Sequence, residues 1–327
     1  MTQTKSTDFE KNWNNYWSGR GGQKSGSALV GIEKHPEIAG YWAEIFSNLP
    51  KSTNILDLAC GAGSVLKVAY NSGFRQVSGL DISESAIELL ANTFPEVKGY
   101  VGSVTDTPFA EGTFDIIASQ FGFEYAGSQT ERIKAAQEIS RILKNRGRAV
   151  LMCHVDGGAI MQGCKLSLEQ IKGLLDSNFF LHAKKTFSAA HLAAKTNKPS
   201  DGKKAQKSLS DLGYAAEPIL DHLRDAPDRK NDFTRFLFYL LEATHKIVTN
   251  FRNYSEKEGL KWFDDMAGEI DAYQGRMESM ISSAMTENDV RSIMASFVGA
   301  GKTIERYEKH YLTNATKPIA WIIEING

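Results

Sequence analysis

The spacing of apolar positions changes character twice along this chain, and each change predicts a different kind of structure. Between residues 52 and 155, short apolar runs alternate with stretches whose apolar residues recur every three or four positions. Residues 54–58 read as a strand, and residues 64–72 as a short helix with Val65, Leu66, Val68 and Ala69 on one side. Residues 76–80 form a second strand that ends at Asp81. Ser83 then suits a helix N-cap, with Ala86, Ile87, Leu89 and Leu90 behind it as a buried stripe. Residues 97–101 are a third strand, and 114–119 (FDIIAS) a fourth, apolar on both faces as an interior parallel strand must be. Helical spacing over 130–144 runs through Ile133, Ala136, Ile139 and Ile142; residues 145–147 supply its stop, and 148–154 make a fifth strand.

After Val155 the alternation lapses. Residues 166–182, 209–224, 231–252 and 255–285 all read as helices. The third carries Phe233, Phe236, Leu237 and Leu240, the fourth Trp262, Met266, Ile270, Tyr273 and Met277, and such stripes need a partner surface. Between the first two helices, residues 195–207 (KTNKPSDGKKAQK) read as a polar loop with five lysines and one acid. The sheet pattern then resumes with a helix over 288–298 and strands over 303–311 and 318–325. The predicted fold class is therefore α/β, a doubly wound, mostly parallel seven-stranded sheet with a helical insertion after the fifth strand. Residues 1–50 form an N-terminal helical cap, 51–155 with 287–327 the sheet domain, and 156–286 the insertion.

Composition narrows the function. Lys plus Arg (38) nearly balance Asp plus Glu (39), so no global field draws the protein to nucleic acid or an anionic membrane. Cys60, Cys153 and Cys164 lack metal-type spacing and are odd in number, which argues against a zinc site or disulfide framework and for a reducing compartment. The first thirty residues have no apolar core of the kind a signal peptide needs, and no window approaches the roughly 18 consecutive apolar residues of a membrane span. A cytoplasmic protein is expected, with no metal.

The candidate chemistry lies in ILDLACGAGSV, residues 55–65, where a strand ends abruptly in small residues. Open parallel sheets bind ligands at the carboxyl ends of their strands, where small residues admit the ligand and a helix N-terminus points its amides at it. Asp81, about twenty residues on, is placed to accept from both hydroxyls of a ribose. Dinucleotides and S-adenosylmethionine both use this geometry. The dinucleotide fingerprint needs a third glycine where this chain has the bulky Leu66, and Asp57 fits poorly beside a pyrophosphate.

DLACGAG, residues 57–63, resembles the first motif of the class I S-adenosylmethionine-dependent methyltransferases, with Ala59 at its first glycine position. LDIS (80–83) resembles the second motif, residues 102–125 the segment through the third and fourth, and RILKNRGRAVLMCH (141–154) the helix and strand that follow. The resemblance covers residues 52–155 and 287–327. It implies S-adenosyl-L-methionine as cofactor, with Asp57, Ala59, Gly61 and Gly63 lining its methionine half. Asp81 would hold the ribose and Ile82 pack on the adenine. Ser103, where Asp is more common, and Val104 would meet the adenine edge, and Gln120 and Phe121 would face the methyl-bearing sulfur. In related enzymes an N-terminal helix folds over the cofactor, which gives Tyr16 and Trp17 a closing role and pairs Arg20 with the methionine carboxylate.

Methyl transfer to a hydroxyl needs a general base, whereas an amine need only be neutral. His154, Glu124 and Tyr125, at the ends of the fifth and fourth strands, are the catalytic candidates; His154 leads because an imidazole ordinarily titrates near neutrality. The leading reading is methyl transfer to an O or N atom of a small metabolite, apolar or aromatic because the insertion is rich in Phe, Met and Trp. The alternatives are an RNA or protein methyltransferase, resting on the lysine loop, and an inactive cofactor-binding module. The insertion serves either as a lid or as a homodimer surface.

Overall fold

The computed structural model describes residues 11, 13, 14, 16–18, 36–225 and 232–327. Its contacts divide the chain into two compact units, one holding residues 31–164 and 278–327 with the N-terminal residues up to Ser18, the other holding residues 165–277.

The first unit is built on a seven-stranded sheet. In chain order its elements are α1 (Pro36–Ser47), β1 (Ile55–Leu58), α2 (Ser64–Asn71), β2 (Val77–Asp81), α3 (Glu84–Thr93), β3 (Lys98–Val101), β4 (Phe114–Gln120), α4 (Gln129–Ile142) and β5 (Leu143–His154). With β6 (Thr303–His310) and β7 (Ala320–Asn326), the strand order is β3-β2-β1-β4-β5-β7-β6, all parallel except β7, which runs antiparallel between β5 and β6. The order reverses between β1 and β4, so their carboxyl ends flank the crevice where such sheets hold ligands. The expected doubly wound α/β architecture is the one observed.

The period-two pattern of the strands sets which helices cover which face. Leu56, Leu58, Ile117, Leu151 and Ile323 share one core with Ala135, Ala136 and Ile139 of α4. Ile55, Ile116, Val150 and Ile322 share the other with Trp42 and Phe46 of α1, Leu66 of α2 and Leu90 of α3. Every position of β1 is buried, Asp57 included, so ILDL shows no alternation of buried and exposed residues. Ser83 caps α3 as expected, its hydroxyl accepting from the Ala86 amide at 3.3 Å.

One boundary differs from the sequence expectation. The helix expected to reach 144 ends at Ile142, and the supposed stop at 145–147 lies inside β5. Leu143 pairs with Phe114 of β4, while Arg146 donates its amide to the Gly327 carbonyl and Gly327 donates to Gly147. Pairing with the distant chain end draws these turn-forming residues into the sheet, which no local pattern could announce.

The second unit is helical. Its elements are the later part of α5 (Ala159–Asp176), α6 (Phe179–Thr196), α7 (Pro199–Asp225), α8 (Asp232–Thr249) and most of α9 (Glu256–Ser283). Buried Phe179, Phe187, Phe233, Phe236, Phe263 and Tyr273 form its centre, with Phe233 stacked on Tyr273 at 5.2 Å. The expected helix over 166–182 is two helices, broken where Asn178 adopts a left-handed φ of 55°. The expected polar loop at 195–207 is also corrected: from Pro199 onward it is the start of α7. Pro199 occupies the first helical position, where a missing amide is harmless, and Lys204–Asp201 and Lys207–Asp211 pair at helical spacing. α10 (Glu287–Gly299), β6 (Thr303–His310) and β7 (Ala320–Asn326) then complete the sheet unit, α10 opened by a reciprocal Thr286–Asp289 capping box. No helix of the structure is long and apolar enough to cross a membrane among the described residues.

A charged cluster ties the antiparallel end of the sheet together. Glu324 of β7 is buried, pairs with Arg148 of β5 and Arg306 of β6, and accepts from the Tyr41 hydroxyl at 3.1 Å. Burial alone pushes the Glu324 carboxyl up, but the two guanidinium groups outweigh it and hold the group below its ordinary value. A depressed folded value means that this stabilisation is present above the ordinary carboxylate range and lost as pH falls through the folded value. Glu324→Gln should therefore cost roughly 2 kcal/mol in urea unfolding at neutral pH, and the difference from wild type should shrink on acidification.

Candidate active site

The turn after β1 is held in an unusual backbone conformation. Ala59, Gly61 and Gly63 have φ of 53°, 52° and 83°, the left-handed region. A Cβ at Gly61 would run into the Trp17 indole and one at Gly63 into Leu90, so the positions demand glycine for space as well as for φ. Ala59 takes the same conformation with a side chain, and its Cβ stands where one on Gly122 would lie 2.6 Å away. Ala59 and Gly122 therefore meet across the ends of β1 and β4.

Asp81 knits the turn to the neighbouring strand. One carboxylate oxygen accepts from the Gly61 amide and the other from the Ser83 amide, both at 2.8 Å. Burial raises its pKa, and these amides with that of Ile82 counteract the rise. Asp57, 1% exposed, has two carboxylate oxygens without a hydrogen-bond partner among the described residues. Burial, and then the charge of Asp81, push its pKa well above the ordinary value. The Cys60 thiol is pushed up by burial and by both acids, so it stays a packing residue.

The remaining candidates on this side are placed unevenly. Ile82 is 40% exposed at the end of β2, open to a planar ligand. Ser103 hydrogen-bonds Thr105 through their hydroxyls at 2.8 Å, and Val104 is buried in the sheet core. Gln120 is engaged elsewhere: its Oε1 accepts from the Trp42 indole at 2.6 Å. Phe121, also in the left-handed region at φ 51°, lays its ring on the His154 imidazole at 4.4 Å and 21°. A bulky side chain rarely adopts that φ, and where one does, the surrounding contacts must hold it.

His154, Glu124 and Tyr125 converge on one point. Glu124 Oε1 lies 2.7 Å from His154 Nδ1 and accepts the His154 amide at 2.7 Å, and the Tyr125 hydroxyl lies 3.3 Å from the same Nδ1. Glu124 is fully buried and His154 is 3% exposed. The 3-10 turn Phe123–Ala126 that carries Glu124 is anchored by Arg132, which donates to the Glu124 carbonyl at 3.0 Å and to the Ser283 carbonyl at 2.9 Å. Sequence reasoning passed over Arg132, yet a signal was there: an arginine on the buried stripe of α4 with Ala135, Ala136 and Ile139.

The N-terminal residues lie against the same face. Trp13 meets Tyr125 edge-on at 4.9 Å, Asn14 accepts from the Ser83 hydroxyl at 2.6 Å, and Tyr16 is buried with its ring 4.8 Å from that of Trp17. Trp13, Asn14 and Trp42 were not among the expected site residues. Arg20 lies outside the described residues. No group of three or more His, Cys, Asp and Glu able to hold a metal stands among the described residues.

Sheet order, glycine turn and paired acids define an α/β domain of the doubly wound kind, in which ligands sit at the carboxyl ends of the strands. A sequence family described as a methyltransferase domain matches residues 56–151. That match, with the sheet order, supports a methyltransferase domain of the class I S-adenosylmethionine-dependent kind, with S-adenosylmethionine as its cofactor. The chain is 30% identical to the demethylmenaquinone methyltransferase of Thermotoga maritima over 30% of its own length and 42% of the relative's. It is 28% identical to a dTDP-4-amino-2,3,4,6-tetradeoxy-D-glucose N,N-dimethyltransferase of Saccharopolyspora spinosa, over 32% and 42% respectively. The amino pentose methyltransferase CalS10 of Micromonospora echinaspora, solved with S-adenosylmethionine bound, is 24% identical with a TM-score of 0.34, over 38% of this chain and 52% of its own. The chain thus spans about half the length of the relatives it matches.

The residues present fit that cofactor. Asp57 offers two buried oxygens with no partner among the described residues, and Asp81 keeps further lone pairs on oxygens already held in place.

Two outcomes follow from this geometry. Ala59→Gly should raise stability by about 1 kcal/mol in chemical denaturation, because glycine relieves the left-handed strain. Asp57 holds its proton more tightly folded than unfolded, so its contribution is lost as pH rises through the folded value. Asp57→Asn should melt no lower than wild type at neutral pH, with the gap widening toward alkaline pH in a melting series.

Proposed function

We propose that this protein transfers the methyl group of S-adenosylmethionine to a small molecule, at oxygen or nitrogen, with an apolar or aromatic acceptor favoured. The observation that carries the reading is the left-handed turn laced to Asp81 inside the segment that matches the methyltransferase family. Both relatives named above are, by their names, methyltransferases of small molecules.

When bound, the cofactor supplies an electrophilic methyl on a sulfonium; the protein's part is to bind, orient and exclude water. Asp57 and the turn from Ala59 to Gly63 take the methionine half, Asp81 the ribose hydroxyls and Ile82 the adenine face. Val104, buried below, shapes that end, and Ser103 borders it. Tyr16 and Trp17 cover the turn. Gln120 serves by locking α1 to the end of β4 through Trp42, and Phe121 by fixing the His154 ring. His154 takes the proton of a hydroxyl acceptor, held in orientation by Glu124. The alternative of an RNA or protein substrate rests on the five lysines of residues 195–207, of which Lys204 and Lys207 are paired with Asp201 and Asp211.

Calorimetry with S-adenosylmethionine and its demethylated product tests the reading. Wild type should bind both, and Asp81→Ala should weaken binding at least about tenfold, or ~1.4 kcal/mol. Folded protein that gives no heat with either compound would falsify it.

A further inference from the structure

The pair at the ends of β4 and β5 says more about the acceptor than the methyl-donor site does. Glu124 has no exposed surface, and a single oxygen, Oε1, meets both the amide and Nδ1 of His154 at 2.7 Å. That contact directs the Nδ1 proton to the carboxylate and leaves Nε2 as the ring nitrogen with its lone pair for a ligand. One face of the imidazole is covered by Phe121, and Tyr125 stands edge-on to it at 5.9 Å, with Trp13 edge-on to Tyr125 in turn. The titratable and charged groups around the imidazole are Glu124 and Tyr125 directly, with Cys153 and Arg132 next to Glu124.

Resting on the methyltransferase reading, we infer that the acceptor is an aromatic hydroxyl compound, ionised in place by His154, with Glu124 the positioning residue that sets the imidazole tautomer. An amine that arrives neutral has no proton to give up before the transfer. A cationic amine would seek a carboxylate, but Glu124 is wholly enclosed and its Oε1 is already met twice by His154. An aliphatic alcohol is far too weak an acid for an imidazole to ionise, whereas a phenol lies within reach of one. The rings of Phe121, Tyr125 and Trp13 gathered about His154 suit a planar apolar partner that packs edge-on or offset. In the step, the acceptor O–H bond breaks and an N–H bond forms at Nε2. The electron pair stays on oxygen as the nucleophile, Glu124 balances the imidazolium, and no oxidant or reductant is involved.

The probe is 4-nitrophenol, whose phenolate absorbs at longer wavelength than its phenol, added to protein saturated with the demethylated cofactor product. Bound nitrophenol should appear as phenolate at a pH where free nitrophenol is mostly protonated, an apparent shift of at least about one pH unit, roughly tenfold in ionisation. His154→Asn should abolish the shift. Glu124→Gln keeps an oxygen that can accept from the His154 amide and Nδ1 but loses the charge, so in protein whose melting transition shows it folded the shift should fall at least about fivefold. Aniline and cyclohexanol should not displace the probe; 4-methylphenol should. Protein that binds the cofactor product but leaves nitrophenol unbound or unshifted overturns this inference and spares the methyltransferase reading. A shift that survives His154→Asn overturns it as well. Protein that binds neither compound overturns both.

Discussion

A carboxylate buried at the meeting of two strand ends must have its charge answered, and Asp81 is answered almost entirely by backbone. Its two oxygens take the Gly61 and Ser83 amides, so the turn after β1 and the N-terminus of α3 are held to the same side chain. That single tie sets much else. Gly61 presents its amide only because the backbone is left-handed there, which leaves space that Trp17 fills. Ser83, pinned by Asp81, is free to cap α3 with its oxygen while donating its hydroxyl proton to Asn14, so the N-terminal residues are anchored through the same point. Asp57 lies beneath the turn, and among the described residues its carboxylate has no hydrogen-bond partner, a buried acid whose cost the fold tolerates. A buried carboxylate of this kind calls for an explanation, and a ligand in the crevice is the one the Asp81-held turn suggests.

The second centre follows a different rule. Glu124 and His154 come from separate strand ends and are brought together by strained backbone: Phe121 in the left-handed region, Gly122 pressed on Ala59, and a 3-10 turn held by Arg132. Arg132 also binds the Ser283 carbonyl, and Met285 donates its amide to the His154 carbonyl. The chain's return into the sheet unit is therefore hydrogen-bonded to the strand end that carries His154. The strain at Phe121 keeps an aromatic ring flat on the imidazole, which limits how that ring can rotate. The two neighbouring turns thus share the Ala59–Gly122 contact.

The helical unit has a core of its own, centred on phenylalanines whose spacing was plain from the sequence. Where its local order was misjudged, the cause was punctuation. Pro199 and Gly202 resemble a loop when read alone, but proline is harmless at a helix start and the lysines that follow pair with acids one turn away. Asn178 breaks a helix that periodicity would have continued, because a left-handed residue leaves little trace in an apolar pattern.

The sequence alone determined the sheet domain: runs of buried strands, helices with one apolar side, a capping serine, and a small-residue turn followed at about twenty residues by an acid. These are local signals, since period, propensity and turn chemistry act over a few residues. It also named the three residues of the buried cluster one by one. Only the tertiary structure decided that Glu124 and His154 share one oxygen, that Trp42 takes up Gln120, that residues 143–147 join the sheet, and that Arg132 supports the site. Those facts depend on which groups remain unsatisfied once distant segments pack. A hydrogen bond between residues thirty or more positions apart has no signature until burial removes water as the alternative partner.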